Sequence, residues 1–337
     1  MAPAPPTTDR DWRGFARTLA LSMVGLFAGY LALAVLVDPY DTGRSTLLSR
    51  GAVRPQGPRT ASAVRGRDPA YAGVVIGNSH IQLIEPAALT GLTGIPFLQL
   101  SVPATGPSEQ FALLEWYLQH HARPAAIVLS ADAFWCADDP SFPSEHGFPY
   151  WLVGDWPAYL RGLIRFSAAQ ETVNRIGWLL NPRRKTAAAD GWWDYERNYL
   201  SQGFGVDPAK KAALEKPVGP EPEPRHGGPF PIAARLRAEL TRIPAETPVV
   251  VVFPPVYARG EPPPGSPRPR ARAEAACRAE VRTVLATHAL STVVDWRDGR
   301  PAAADPDQFF DQTHYRLPIA RSLTTEIAEA IVRLRTR

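Results

Sequence analysis

Apolar and polar positions fall into blocks along this chain, and the blocks have different periods. An uncharged, strongly apolar segment runs from Thr18 to Val37, and its twenty residues would span about 30 Å as a helix, the thickness of bilayer hydrocarbon. No polar face recurs in it at helical spacing, which argues against a buried core helix and predicts a transmembrane span. Downstream, short β-branched runs alternate with helical patterns. Gly73-Val74-Val75-Ile76-Gly77 reads as a buried strand, followed by a short helix from Pro86 to Thr90 and a second strand from Phe97 to Val102. A helix from Pro107 to His121, with Phe111, Leu114 and Leu118 on one face, then leads to a third strand from Ala125 to Ser130. Such close alternation predicts an α/β domain: a mainly parallel sheet between two layers of helices, preceded by one transmembrane helix.

The sheet pattern stops for roughly a hundred residues after Cys136. The stretch 137–231 holds Trp151, Trp156, Trp178, Trp192 and Trp193, with helical patches from Tyr159 to Phe166 and from Glu171 to Leu180. It reads as a largely helical insertion or lid beside the active edge. Its aromatic residues suit stacking on sugar rings, and equally suit a core of the insertion's own or a place at the membrane interface. Glu215 to Pro231 alternates proline with charge and closes the insertion as a flexible tether. The pattern then resumes with a helix from Ile232 to Leu240 and a central strand from Pro248 to Phe253. A loop from Pro262 to Pro269, a helix from Arg270 to His288 and a strand from Thr292 to Trp296 follow. Last comes a helix from Pro318 to Arg335 with Ile319, Leu323, Ile327, Ile331 and Leu334 on one face. The expected organisation is a cytoplasmic tail (1–17), a signal anchor (18–37), a linker (38–70) and an α/β domain (71–337) carrying the insertion.

Charge decides orientation more than class. Arg10, Arg13 and Arg17 precede the apolar segment and Arg44, Arg50 and Arg54 follow it, but the nearest positive charges lie on its N-terminal side, with Asp38 and Asp41 on the other. Long domains translocate largely regardless of charge, so the N-terminus is expected in the cytoplasm and the α/β domain in the periplasm or outside the cell. Ala32-Leu33-Ala34 has the form of a cleavage site, yet the apolar stretch is long for a signal peptide, which favours an uncleaved anchor. A formal charge of +4 on 337 residues is mildly basic, compatible with an anionic membrane or polymer and too weak to imply nucleic acid. The 36 prolines suggest stiff surface connections. Cys136 and Cys277 sit in no metal-like spacing, and a disulfide and two buried thiols both remain open.

Candidate chemistry gathers at the end of the first strand. Ser79, in Gly77-Asn78-Ser79-His80, stands where open α/β sheets bind ligands. A serine hydroxyl needs a base to accept its proton, and Asp311-Gln312-Thr313-His314 supplies an imidazole and a carboxylate to orient it. Tyr257 follows the valine-rich strand at the same edge and is a candidate pocket residue, and His80 adjoins the serine, where it could touch substrate. Metal clusters, phosphate-binding glycine loops and dinucleotide fingerprints are absent from the sequence, so neither metal nor cofactor is expected.

Gly77-Asn78-Ser79-His80 and Asp311-Gln312-Thr313-His314, in this order at opposite ends of an α/β pattern, resemble the first and last motifs of the SGNH (GDSL-like) hydrolase superfamily. Asparagine stands at 78 where many members have aspartate. The resemblance implies a flavodoxin-like three-layer sandwich with Ser79, His314 and Asp311 catalytic. It also implies oxyanion donors from the Ser79 backbone, a glycine after the second strand, for which Gly106 is the candidate, and an asparagine after the third. There this chain has Asp132 instead, and Asn78 is a possible substitute donor. Asp38-Pro39-Tyr40 after a single anchor resembles membrane-anchored members of surface-polysaccharide gene clusters. Those imply an esterase or O-acyltransferase acting on acyl, foremost acetyl, groups of an envelope or exported polysaccharide at the inner membrane, beside other envelope biosynthesis proteins. The alternative is a non-catalytic assembly or glycan-binding protein that retains the fold.

Overall fold

The computed structural model describes residues 9–49, 51–136, 147–216, 228–260 and 265–337. The tail up to Thr8, most of the expected tether and part of the loop after Pro262 lie outside the described residues. In chain order the elements are α1 (Asp9–Val37), α2 (Pro58–Arg65), β1 (Gly73–Gly77), α3 (Pro86–Thr93), β2 (Phe97–Ser101), α4 (Pro107–His120), β3 (Ala126–Ser130), α5 (Tyr150–Val153) and α6 (Trp156–Leu163). Then follow α7 (Phe166–Leu180), α8 (Glu196–Ser201), α9 (Pro208–Leu214), α10 (Pro231–Leu240), β4 (Val249–Phe253), α11 (Pro269–Leu285), β5 (Ser291–Asp295) and α12 (Leu317–Arg335). Proline stands in the first turn of α2, α3, α4, α6, α9, α10, α11 and α12, so eight of the 36 prolines start helices. There the missing N–H costs nothing and the fixed φ suits the helix.

The chain divides into two compact units. The larger, Ala52–Val153 with Lys185–Arg337, is the α/β fold expected from the sequence. Its five strands are all parallel in the order β2-β1-β3-β4-β5, so the chain reverses its direction of travel across the sheet between β1 and β3. β1, β2, β3 and β4 are buried throughout, which is why they read as continuous apolar runs. On one face Val75, Val128 and Val250 pack under α3 and α12, whose Ile319, Leu323, Ile327, Ile331 and Leu334 are all buried as the helical spacing predicts. On the other, Val74, Ile127 and Val251 pack with Phe111 and Leu114 of α4, Leu236 of α10 and Val281 of α11. Each fully buried aliphatic side chain contributes about 1.5–3 kcal/mol, and the two apolar layers enclose the sheet between them. Cys136, in a 3-10 turn after β3, and Cys277 of α11 are joined in a disulfide.

The smaller unit joins Met1–Gly51 to Gly154–Arg184. Part of the stretch expected to belong wholly to the α/β domain therefore packs with the N-terminal segment. α1 has 29 residues and is long and apolar enough to cross a membrane. It ends in a buried polar knot. The Asp38 carboxylate accepts hydrogen bonds from the Thr42 hydroxyl (2.9 Å), the Gly43 N–H (2.7 Å) and the Tyr159 hydroxyl of α6 (3.0 Å). Asp41 pairs with Arg175 of α7, both deeply buried. Asp38 and Asp41 take left-handed φ values of 44° and 54°, a conformation short polar side chains tolerate best after glycine. Tyr40 is buried, so the Asp-Pro-Tyr segment closes a folded turn. The patch from Tyr159 to Phe166 splits: α6 ends at Leu163 and α7 begins at Phe166.

Candidate active site

Gly77 ends β1 because nothing larger fits. A Cβ there would lie 2.6 Å from Ile81 Cγ2 and 2.7 Å from Ser130 Cβ. The chain then turns, with the His80 N–H donating to the Asn78 side-chain oxygen (3.0 Å), and leaves Ser79 half-buried at the C-terminal edge of the sheet. Because β1 pairs with β3 in the register Ile76 with Leu129, residues just past the two strand ends are neighbours. Asn78 and Asp132 meet there.

β5 lies three strand spacings from β1, about 14 Å, so His314 reaches Ser79 only because its loop runs back over the strand ends. The fold clamps that loop at several points. Phe309 and Tyr315, both fully buried, face each other in an isolated antiparallel bridge, and the Phe310 N–H donates to the His314 carbonyl (2.8 Å). The Tyr257 N–H, just past β4, donates to the Gln312 carbonyl (2.8 Å). Asp311 Oδ1 accepts from the backbone N–H groups of Thr313 and His314, each at 2.9 Å, which turns the His314 ring back over the carboxylate.

The result is a relay. His314 Nε2 lies 2.9 Å from Ser79 Oγ, and Nδ1 lies 2.9 and 2.8 Å from the two Asp311 oxygens. Burial opposes ionisation of Asp311. The hydrogen bond and charge of His314, with the backbone donors of Thr313 and His314, outweigh it and hold the carboxyl down to about 2. Asp311 is thus an anion wherever a neutral imidazole exists, and fixes its proton on Nδ1 so that Nε2 can accept one from Ser79.

The other expected residues divide. Asn78 is buried, and its amide nitrogen donates to the Thr105 carbonyl (3.1 Å) and to the Asp132 carboxylate. Asp132 is buried too; its second oxygen accepts from the Phe134 N–H (2.9 Å), and the oxygen that meets Asn78 lies 3.3 Å from His80 Nδ1. The carboxylate therefore organises this loop. The His80 ring stands 5.2 Å from the His314 ring. Gly106 caps α4, with its N–H donating to Glu109 (2.9 Å) and a φ of −97°; the left-handed residue in that loop is Ala104, at 54°. The Ser79 N–H has no hydrogen-bond acceptor among the described residues and is the free donor beside the nucleophile. The Tyr257 side chain is buried against Phe309, with its hydroxyl on Glu215, so its clearest link to the relay is the backbone bond to Gln312.

Several residues here have no motif to announce them. The Tyr195 and Tyr199 rings of the insertion flank His314 at 5.8 and 5.4 Å, and the Tyr199 phenol is pushed up by burial and then by the charge of Asp311. Glu196, buried between them in sequence, accepts from the Arg316 guanidinium (3.0 Å) and from the Leu317 N–H (2.7 Å), capping α12 directly after the histidine loop. The tyrosines' i, i+4 spacing was the available signal. Among the described residues, no group of three or more His, Cys, Asp or Glu side chains is placed to hold a metal ion. No protein-family model matches the chain, and no curated protein is significantly similar to it.

Proposed function

We propose that this chain is a membrane-anchored serine esterase or O-acyltransferase of the SGNH type, acting on acyl groups, foremost acetyl, of an envelope or exported polysaccharide outside the cytoplasmic membrane. The observation that carries this reading is the continuous hydrogen-bonded line from Asp311 through His314 to Ser79. Ser79 Oγ attacks the ester carbonyl carbon while its proton passes to His314 Nε2; the bond to the sugar oxygen then breaks and that oxygen takes the proton, leaving the acyl group on Oγ. Water or a second sugar hydroxyl next gives its proton to Nε2 and attacks the acyl carbon, and Nε2 returns that proton to Ser79 Oγ as the Oγ–acyl bond breaks. The Ser79 N–H is in reach of the developing oxyanion from the nucleophile's own backbone. The polysaccharide class rests on the resemblance and is supported by the Tyr195 and Tyr199 rings beside His314. Export is supported by the apolar helix α1 and by the disulfide, which suits an oxidising compartment. An uncleaved anchor is supported by Ala34, buried inside the smaller unit.

One observation favours a second reading. The Gly106 N–H and the Asn78 amide are both committed within the protein, as a non-catalytic assembly or glycan-binding protein would tolerate. A serine-directed fluorophosphonate and an activated acetyl ester, each with the wild type and Ser79→Ala, separate the two. Labelling and turnover that vanish in Ser79→Ala support the enzyme; an unlabelled wild type, or a variant with full turnover, overturns it. Adding an oligosaccharide acceptor distinguishes transfer from hydrolysis, and a reporter fused at Arg337 reads the orientation.

A further inference from the structure

The smaller unit carries a second apolar surface besides α1. At the α6–α7 turn Ile164 is 54% and Phe166 78% exposed, with Leu160 and Trp156 exposed along α6. Isolated exposed apolar residues need no explanation, but Leu160, Ile164 and Phe166 about one turn, with Trp156 further up the same helix and an apolar helix beside them, form a patch. Two arginines, Arg161 and Arg165, are exposed in the same turn.

Depth along α1 decides what the patch faces. The Tyr30 hydroxyl donates to the Leu163 carbonyl (2.6 Å), which sets the α6–α7 turn level with Tyr30, and α1 is exposed from Asp9 to Gly29. Val37 lies seven residues, about 10 Å, beyond Tyr30. From Thr18 to Tyr30 there are only thirteen residues, about 20 Å of helix against about 30 Å of hydrocarbon. If α1 crosses with its apolar segment centred, the turn sits inside the leaflet its C-terminal end enters. Shifting α1 outward until Arg17 and Arg13 snorkel at the opposite face still leaves the turn at the boundary between acyl chains and headgroups. At no position does an α1 that spans the bilayer leave the turn in water.

We propose that the α6–α7 turn is a second membrane contact: an interfacial hairpin whose Ile164 and Phe166 enter the acyl-chain boundary while Arg161 and Arg165 meet lipid phosphates. This rests on α1 being a membrane anchor, and the experiment separates the two claims. Full-length protein in lipid vesicles carries one added cysteine at a time, labelled with an environment-sensitive fluorophore; the native cysteines are bonded to each other and do not react. Gly25→Cys tests the anchor, Ile164→Cys and Phe166→Cys the hairpin, and Gly177→Cys, on the far end of α7, is the aqueous reference; both glycines have open space for a side chain. Expected are strong quenching at Gly25 by lipids brominated deep in the chain, quenching at Ile164 and Phe166 by lipids labelled near the headgroup at several times the level at Gly177, and the reverse order with aqueous iodide. Lipid protection at Gly25 with Gly177-like iodide access at Ile164 and Phe166 overturns the hairpin alone. Iodide access at Gly25 overturns the anchor and the hairpin with it.

Discussion

The side-chain amide of Asn78 donates a hydrogen bond to the carboxylate of Asp132, 54 residues further along the chain. On the SGNH reading proposed above, asparagine at 78 and aspartate at 132 would both be departures from the pattern, and the two side chains meet in one contact. Asn78→Asp would set two buried carboxylates against each other and is expected to destabilise the fold by about 3 kcal/mol. Adding Asp132→Asn restores an acceptor and a donor, and should recover at least about 1 kcal/mol. Urea denaturation of the wild type, both single variants and the double variant measures this; strictly additive effects would show that the residues do not act as a unit.

Gly77 has no room for a side chain. Gly77→Ala must push Ile81 or Ser130 aside, at about 1–3 kcal/mol, and moves the turn that carries Ser79. Fluorophosphonate labelling should slow at least about tenfold while far-ultraviolet circular dichroism keeps its α/β form. Labelling at the wild-type rate would mean that the turn absorbs the methyl group without moving the hydroxyl.

Asp311 links the relay to acid stability. Its carboxyl is held from its ordinary 3.8 down to about 2 in the folded chain, so as pH falls through this window the unfolded chain takes up a proton that the folded chain refuses. The contribution is fully present above 3.8 and lost as pH falls toward 2. Asp311→Asn should therefore lose less stability than the wild type between about pH 5 and about pH 2.5, read as denaturation midpoints of the detergent-solubilised chain. The same variant should turn over an acetyl ester about 10²–10⁴-fold more slowly at neutral pH, because the imidazole loses the partner that fixes its tautomer.

Arg175→Ala removes one half of the buried Asp41–Arg175 ion pair. Breaking a buried ion pair by removing one partner costs up to about 3–5 kcal/mol, so the smaller unit should loosen. Limited proteolysis that cuts between α6 and α7 faster than in the wild type would report it, while labelling at Ser79 gives an independent readout of the larger unit.

Sequence pattern alone reached the sheet and the relay residues, for physical reasons that differ. β1 and β4 are legible because strands buried on both faces must be apolar throughout, and α12 because its buried stripe repeats at the helical period. Ser79, Asp311 and His314 are legible because strand ends and short loops carry chemistry in local motifs. Pairings such as Asp41 with Arg175, 134 residues apart, leave no trace in any window of sequence, so the stretch around α6 and α7 read as part of the α/β domain. The same holds for Glu196: a carboxylate on a short helix looks like solvent-facing decoration until the helix it caps is known.

Glu196 also ties the insertion to the histidine loop mechanically. Its carboxylate clasps the start of α12, immediately downstream of His314, while the Tyr199 ring on the same short helix stands 5.4 Å from the His314 ring. A displacement of α8 therefore reaches the imidazole through two contacts, the Glu196 clasp on α12 and the Tyr199 ring. Strain in this short helix is thus felt at the ring itself and does not stop at the protein surface.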